Sequence, residues 1–267
     1  MTLWWKTWTV RPGASTAEVR AMEELETFRH EYKYICSQGD LTILEHRLNT
    51  AMERDKHAGA DGMYHIRSIY FDDPYDSSVQ ENLAGVNHRE KWRIRAYNCD
   101  ASRLTLERKV KENDMIHKDI CRLTREQFDL LVSGRPVPVT QDTPQLLNRF
   151  SYLIATKGFG PKVIVGYDRR PYVCKAGNVR VTFDTHIFSS PDIGSFFEKE
   201  LCRRPVQRTG QHLLEVKYDE LLPDWLLHAI QLKDMQRTAF SKYYLCRTYD
   251  VGGVTRVVTR IPERESV

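Results

Sequence analysis

The chain has no long apolar run. Its aromatic start, MTLWWKTWTV, is interrupted by Lys6 and is too short for a signal peptide or a bilayer span. No other segment approaches the length needed to cross a membrane. A soluble, cytoplasmic protein is therefore expected, and a membrane partner protein remains compatible with that. Paired cysteines are also missing. Six occur, at 36, 99, 121, 174, 202 and 246, and none forms a CxxC, so scattered core or free thiols in a reducing compartment are expected. Histidines such as His30, His65, His88 and His117 show no ligand spacing and are read as surface or core residues. Net charge is small, +4 over 267 residues, which gives no reason to expect a nucleic-acid partner. There is no internal repeat and no low-complexity tract.

What is present is an alternation. Charged residues, with an occasional threonine, recur at every second position in FRHEYKYI (Arg29, Glu31, Lys33), EKWRIRAY (Lys91, Arg93, Arg95) and LTLERKVK (Thr105, Glu107, Lys109, Lys111). The same spacing returns in VRVTFDT (Arg180, Thr182, Asp184) and LLEVKYD (Glu215, Lys217, Asp219). Residues two apart in a strand share a face. The intervening positions include Phe28, Tyr32, Trp92, Ile94, Leu106, Val110, Val181, Phe183, Leu214 and Val216. Each strand thus has one apolar and one densely ionic face. Either the ionic faces meet water, as in most antiparallel sheets, or they line the lumen of a curved sheet. Periodicity does not say which face is outside.

The coarse organisation is one α+β domain over residues 27–250, with tails at 1–26 and 251–267 and poor order expected in the second. The first strand is expected at 27–36, then a helix with Leu41, Leu44, Leu48 and Met52 on one stripe and Asp40 as its N-cap. HIRSIYFDD reads as a strand ending at the Asp73-Pro74 turn. Strands are expected at 90–98, 103–111 and 117–123, the first two joined by a turn at Asn98-Cys99-Asp100. Thr124 to Gln127 has capping-box spacing, opening a helix that Gly134 closes. PQLLNRFSYLIATKG is read as a helix with Leu146, Leu147, Phe150 and Ile154 inward. Strands follow at 161–168, 171–174, 179–186 and 212–219, and helices at PDWLLHAIQL and TAFSKYYLCRTY.

If the ionic faces converge, bases outnumber acids. Burying unpaired cations costs several kcal/mol each, so an enclosed site of this kind demands a polyanionic guest. Phosphate chains fit, because Arg offers bidentate geometry to non-bridging oxygens and Lys a point charge. Carboxylates beside phosphates repel them unless a divalent cation lies between.

RHEYKY, RSIYFDD, REKWRIRAYN, LTLERKVK, VIVGYDRRPYV, VRVTFDTHI, LLEVKYD and AFSKYY stand in the order seen in VTC domains, and the chain over residues 27–250 resembles that family. VTC domains are the polyphosphate polymerase branch of the triphosphate tunnel metalloenzymes. The resemblance implies a closed antiparallel β-barrel, or tunnel, of about eight strands with flanking helices, and a manganese or magnesium ion. It implies transfer of the γ-phosphoryl of a nucleoside triphosphate, ATP in the first instance, onto a polyphosphate chain. Tri- or polyphosphate hydrolysis and non-catalytic polyphosphate sensing are the alternatives. Carried over by motif, Lys33, Arg93, Arg95, Lys109, Arg169 and Arg180 would be catalytic. Arg29, Lys91, Lys118, Lys217 and Lys242 would bind phosphate. Glu215 would be the metal carboxylate, with Glu31 and Glu107 second in rank as metal or Lys-positioning groups, and Asp184 and Lys217 more doubtful. One position departs from the pattern. The polymerase branch often carries a second Lys three residues before the Lys of SKY, and here that position is Ala239, with Arg237 nearby.

Overall fold

The computed structural model describes residues 29–250, apart from His57, Ala60, Asp114, Lys233 and Asp234, and leaves the side chains of Tyr249 and Asp250 undescribed. The expected tails at 1–26 and 251–267, and Phe28 of the first strand, lie outside the described residues.

The strands are β1 His30–Ser37, β2 Glu53–Arg54, β3 Tyr64–Asp72, β4 His88–Tyr97, β5 Asp100–Glu112 and β6 Met115–Leu123. They continue as β7 Gly160–Cys174, β8 Val179–Ser190, β9 Arg204–Pro205 and β10 Gln211–Tyr218. The helices are α1 Gln38–Ala51, α2 Ser77–Ala84, α3 Arg125–Val132, α4 Gln145–Lys157, α5 Asp224–Ile230 and α6 Lys242–Asp250. All pairings are antiparallel, in the order β1-β10-β8-β7-β3-β4-β5-β6, with β2 beside β7 and β9 beside β8. No continuous ladder joins β1 to β6. The two ends meet at a single bridge, where Arg29 and Ile116 exchange backbone hydrogen bonds of 3.0 and 3.2 Å. No helix among the described residues is long and apolar enough to cross a membrane.

The alternating apolar residues face outward and are covered by helices. Trp92, Ile94 and Leu106 are buried with Phe128 and Leu131 of α3 and Leu147, Phe150 and Ile154 of α4. Val181, Phe183, Leu214 and Val216 are buried with Leu41, Leu44 and Leu48 of α1 and Leu226 and Ile230 of α5. Each of those α1 leucines contributes roughly 1.5–3 kcal/mol by leaving water. The ionic faces are therefore on the inside of the curved sheet. A third apolar group lies on that inner side, where Tyr243, Leu245 and Cys246 of α6 pack with Tyr70, Val163, Val165, Tyr167 and Ile187.

Several local expectations are corrected. The N-cap of α1 is Ser37, and Asp40 is the third residue of a reciprocal capping box, its carboxylate accepting from the Ser37 backbone. Leu146 and Met52 are only partly buried. The strands expected at 161–168 and 171–174 are one strand of 15 residues. Pro171, which lacks an N–H, sits just past the end of the β3 pairing at Tyr64–Arg169, and its carbonyl accepts from the Asp55 backbone at 3.3 Å, so its ring nitrogen faces away from β8 and costs no bond to that strand. The last helix begins at Lys242, because Thr238 and Phe240 are tied by backbone and side-chain bonds to Lys33. None of the six cysteines forms a disulfide among the described residues.

Gly166 marks a bulge between β7 and β8. A Cβ there would lie 2.1 Å from the Phe188 ring, so only glycine fits. Gly166→Ala is expected to lower stability by about 1–3 kcal/mol through overpacking, and the same change should cost less when made in a Phe188→Ala background, read by urea denaturation. An unchanged midpoint for the single variant would contradict this packing.

Candidate active site

The inner face carries Lys33 from β1, Lys91, Arg93 and Arg95 from β4, Lys109 from β5, Lys118 from β6, Arg169 from β7, Arg180 from β8, Lys217 from β10 and Lys242 from α6. The pairing register fixes which of them are neighbours. Lys91 stands directly opposite Lys109, and Lys109 directly opposite Lys118, so three lysines form a row across three strands. Like charges placed opposite one another are unfavourable. Burial, with Lys109, Lys33 and Arg89 close by, pushes Lys91 down to about 7. Burial and the neighbouring Lys33 and Lys217 bring Lys109 to about 8 despite Glu31. Burial, with Arg95 and Arg93, brings Lys118 to about 7 despite Glu107.

Four carboxylates organise the cations. Glu107 receives Arg93 at 2.6 Å, Lys118 at 2.7 Å and Arg95 at 3.5 Å. Glu31 receives Lys109 at 2.9 Å, Lys33 at 3.3 Å and Lys217 at 3.4 Å. Glu215 receives Lys242 at 2.7 Å, Arg169 at 3.1 Å, Lys217 at 3.3 Å and Lys33 at 3.9 Å. Burial alone would raise all three carboxyls, and these cations overcome it and hold each well below the usual range. Asp184, fully buried, binds Arg169 through two bonds of 2.6 Å and Lys242 at 2.6 Å.

Aromatic hydroxyls complete the wall. Tyr70 accepts from Arg93 at 2.7 Å, and Tyr167 accepts from Arg95 at 3.2 Å. Tyr167 also lies under Arg169 and Lys242, whose charges reach its ring. Burial would raise the Tyr167 hydroxyl, but Arg169 and Arg95 bring it below its ordinary value. Arg180 is further out. Its side chain is 39% exposed, and it pairs with Asp55 and with the Tyr64 hydroxyl.

The structure thus gathers Lys33, Lys91, Arg93, Arg95, Lys109, Lys118, Arg169, Lys217 and Lys242 with Glu31, Glu107 and Glu215. Arg180 sits beside them. Arg29 does not join them: it is 42% exposed and pairs with Asp219 at 2.9 Å, beside the bridge to β6 that holds its backbone. Arg237 cannot stand in for a lysine at Ala239, because its guanidinium lies over the outward Tyr32 ring at 3.9 Å. Sequence reasoning set Asp184 aside, and the structure makes it the partner of two cations. It also missed Ser241, Tyr64 and Asp55. Ser241 was in view inside AFSKYY, next to Lys242. Tyr64 lies two positions before Ile66 and so shares its face, but Asp55 sits in a loop with no periodic signal.

No three histidine, cysteine or acidic side chains among the described residues form a cage for a metal ion. The donor set is instead suited to a divalent ion that arrives on phosphate oxygens and needs only one or two carboxylates. Glu31 and Glu215 fit that part, since Lys33 and Lys217 each contact both of them.

An inward-facing cationic tunnel wall on an antiparallel sheet is what the sequence motifs anticipate. The chain belongs to the VTC domain family, whose model matches residues 28–249. No curated protein matches it. Among solved structures, it is similar to a Bacillus halodurans protein named as a candidate adenylate cyclase, at 11% identity and a TM-score of 0.42, covering 84% of this chain and 88% of that one. A Pyrococcus horikoshii protein aligns at 13% identity and a TM-score of 0.41, over 77% and 92%. The Mimivirus capping enzyme triphosphatase aligns at 10% identity and a TM-score of 0.33, over 81% and 94%. These likenesses add nothing to what family membership and the site geometry carry.

Proposed function

We propose that this chain is a metal-dependent phosphotransferase that moves the γ-phosphoryl of a nucleoside triphosphate, ATP in the first instance, onto a polyphosphate chain held in its tunnel. The observation that carries this reading is the lysine row Lys91–Lys109–Lys118 on the inner face. Its charges repel one another until a polyanion with closely spaced negative groups lies along it.

Phosphoryl transfer asks a protein for in-line placement and charge neutralisation more than for covalent chemistry. Arg93 and Arg95, anchored by Glu107, Tyr70 and Tyr167, present fixed guanidinium edges to non-bridging oxygens. Lys33, Lys109 and Lys217 surround the Glu31 end. Arg169 and Lys242, braced by Asp184, sit at the Glu215 end, and Arg180 extends the cationic wall toward solvent to receive the donor. Manganese or magnesium, held by Glu215 and Glu31 together with phosphate oxygens, would supply further neutralisation of the transferred group. Every cation has a carboxylate or hydroxyl to hold it in position, so binding requires little reorganisation.

Incubation with ATP and manganese tests the reading. Long-chain polyphosphate is the expected product. Free phosphate without polymer would replace transfer with hydrolysis, the reading that Ala239 favours because it removes a cation the polymerase branch often has. Stabilisation by polyphosphate without turnover would make the domain a sensor.

The lysine row has a measurable proton signature. At pH 8, Lys118 is mostly neutral and Lys109 about half so in the empty tunnel. A bound polyanion favours their charged forms and raises both values. Binding of inorganic triphosphate should therefore take up protons at pH 8 and take up few at pH 6, where both lysines are already charged. Affinity should fall as pH rises above about 7. Calorimetry in buffers of different ionisation enthalpy reads the uptake, and uptake equal at the two pH values would contradict the assignment.

A further inference from the structure

Ser241 and Lys91 form a pair whose geometry exceeds what phosphate binding needs. The Lys91 ammonium nitrogen lies 2.8 Å from the Ser241 hydroxyl and 2.8 Å from the Asn82 side-chain oxygen. The Asn82 oxygen can only accept, so it takes one N–H of Lys91. When Lys91 is neutral, its lone pair is left to receive the Ser241 proton. The Ser241 oxygen already accepts from the Tyr244 backbone N–H at 3.2 Å, as the N-cap of α6, which leaves its own proton free to be donated. Burial and neighbouring cations place Lys91 near neutrality, where both protonation states are accessible. Both side chains are part-exposed on the inner face.

The surroundings also suit the product. Lys33 donates to the carbonyl of Phe240, the residue before Ser241, at 2.7 Å. Lys242 follows it in the chain. The first turn of α6 directs its remaining free N–H groups and positive dipole end at this point. A phosphate ester on Ser241 would therefore lie against Lys91 and close to Lys33, at a helix N-terminus.

We propose that Ser241 is a covalent phosphoryl acceptor, with Lys91 as its general base. The Ser241 oxygen forms a bond to the γ-phosphorus of the nucleoside triphosphate. The bond from that phosphorus to the bridging oxygen breaks, and the nucleoside diphosphate leaves with the electron pair. The hydroxyl proton passes to neutral Lys91. Approach of the triphosphate raises the proton affinity of Lys91, and in molecules that bind substrate with Lys91 neutral the Ser241 hydroxyl, 2.8 Å away, supplies the proton. The product is a phosphoserine whose oxygens resemble a chain end, so it can prime polymer growth before a free chain is available. This inference rests on the phosphotransferase reading and adds a protein-bound acceptor to it.

The test is acid quench of the full chain after incubation with γ-labelled ATP and manganese, followed by peptide mapping. Serine esters survive acid, whereas phosphoramidates on Lys or His do not. The expected result is one phosphoryl mass on the Ser241 peptide. Ser241→Asn keeps an N-cap but should lose the label, whereas Ser241→Thr should retain it. Lys91→Arg keeps the charge but cannot act as a neutral base, and should slow labelling by roughly a hundredfold or more. Turnover in the wild type with no acid-stable label overturns the inference and leaves the phosphotransferase reading intact. Neither turnover nor label removes both. Label that persists in Ser241→Asn would also overturn it.

Discussion

Arg93→Ala is expected to lower phosphoryl-transfer activity by about a hundred- to a thousandfold, the range found when one preorganised donor to developing charge is removed. Arg93 is held at both ends, by Glu107 and by the Tyr70 hydroxyl, so its guanidinium cannot be replaced by a swinging lysine. Burial opposes its charge, and Glu107 more than offsets this, so that it stays protonated well beyond any working pH. Glu107 keeps Arg95 and Lys118 in the variant, which limits the effect on folding. The loss should therefore appear in kcat with a much smaller change in the urea midpoint. Activity within a few fold of wild type would remove Arg93 from the site.

Arg169→Leu is expected to cost about 3–5 kcal/mol of folding stability, because it strips one partner from a buried ion pair. Asp184 has no exposure and takes both of its short guanidinium bonds from Arg169. Lys242 alone would then serve Asp184, while Glu215 would keep Lys242, Lys217 and Lys33. Pairing the change with Asp184→Leu should recover much of the loss, since apolar replacement of a whole buried pair is often close to neutral. Urea denaturation of the single and double variants separates these outcomes. A loss below about 1 kcal/mol for Arg169→Leu is what a solvated surface pair would give, and would contradict the burial described for this cluster.

The strand alternation was readable because Trp92, Ile94, Leu106, Val181 and Leu214 each sit between charged neighbours. What periodicity could not give was the side of the sheet that α1, α3, α4 and α5 would cover. That is decided by helices whose apolar stripes are remote in sequence, and the ordered motifs supplied it only through family resemblance. Lys33, Arg93, Lys109 and Glu215 could be picked out because each lies in a motif that carries the family resemblance, on a strand whose two-residue repeat puts it on the ionic face. Asp184 was undervalued because its meaning depends on cross-strand register. It faces Arg169 on β7 and meets Lys242 from the last helix, neither of which is near it in sequence. Arg29 was overvalued for the complementary reason. It has the right parity, but it lies where β1 begins and the sheet seam leaves it open to water. The single long β7 reads as two strands in the sequence because Pro171 ordinarily interrupts a sheet, whereas its ring nitrogen faces away from β8 and leaves that ladder whole.

The inner face is proposed as a polyanion site built by strand register. The most direct measurement is calorimetric binding of inorganic triphosphate to the wild type across a salt series, beside Lys109→Met, which removes the middle of the lysine row. Triphosphate binding is expected to weaken steeply with salt, to exceed that of monophosphate, and to drop at least tenfold in Lys109→Met. Triphosphate binding no tighter than monophosphate binding, or unchanged by Lys109→Met, would contradict it.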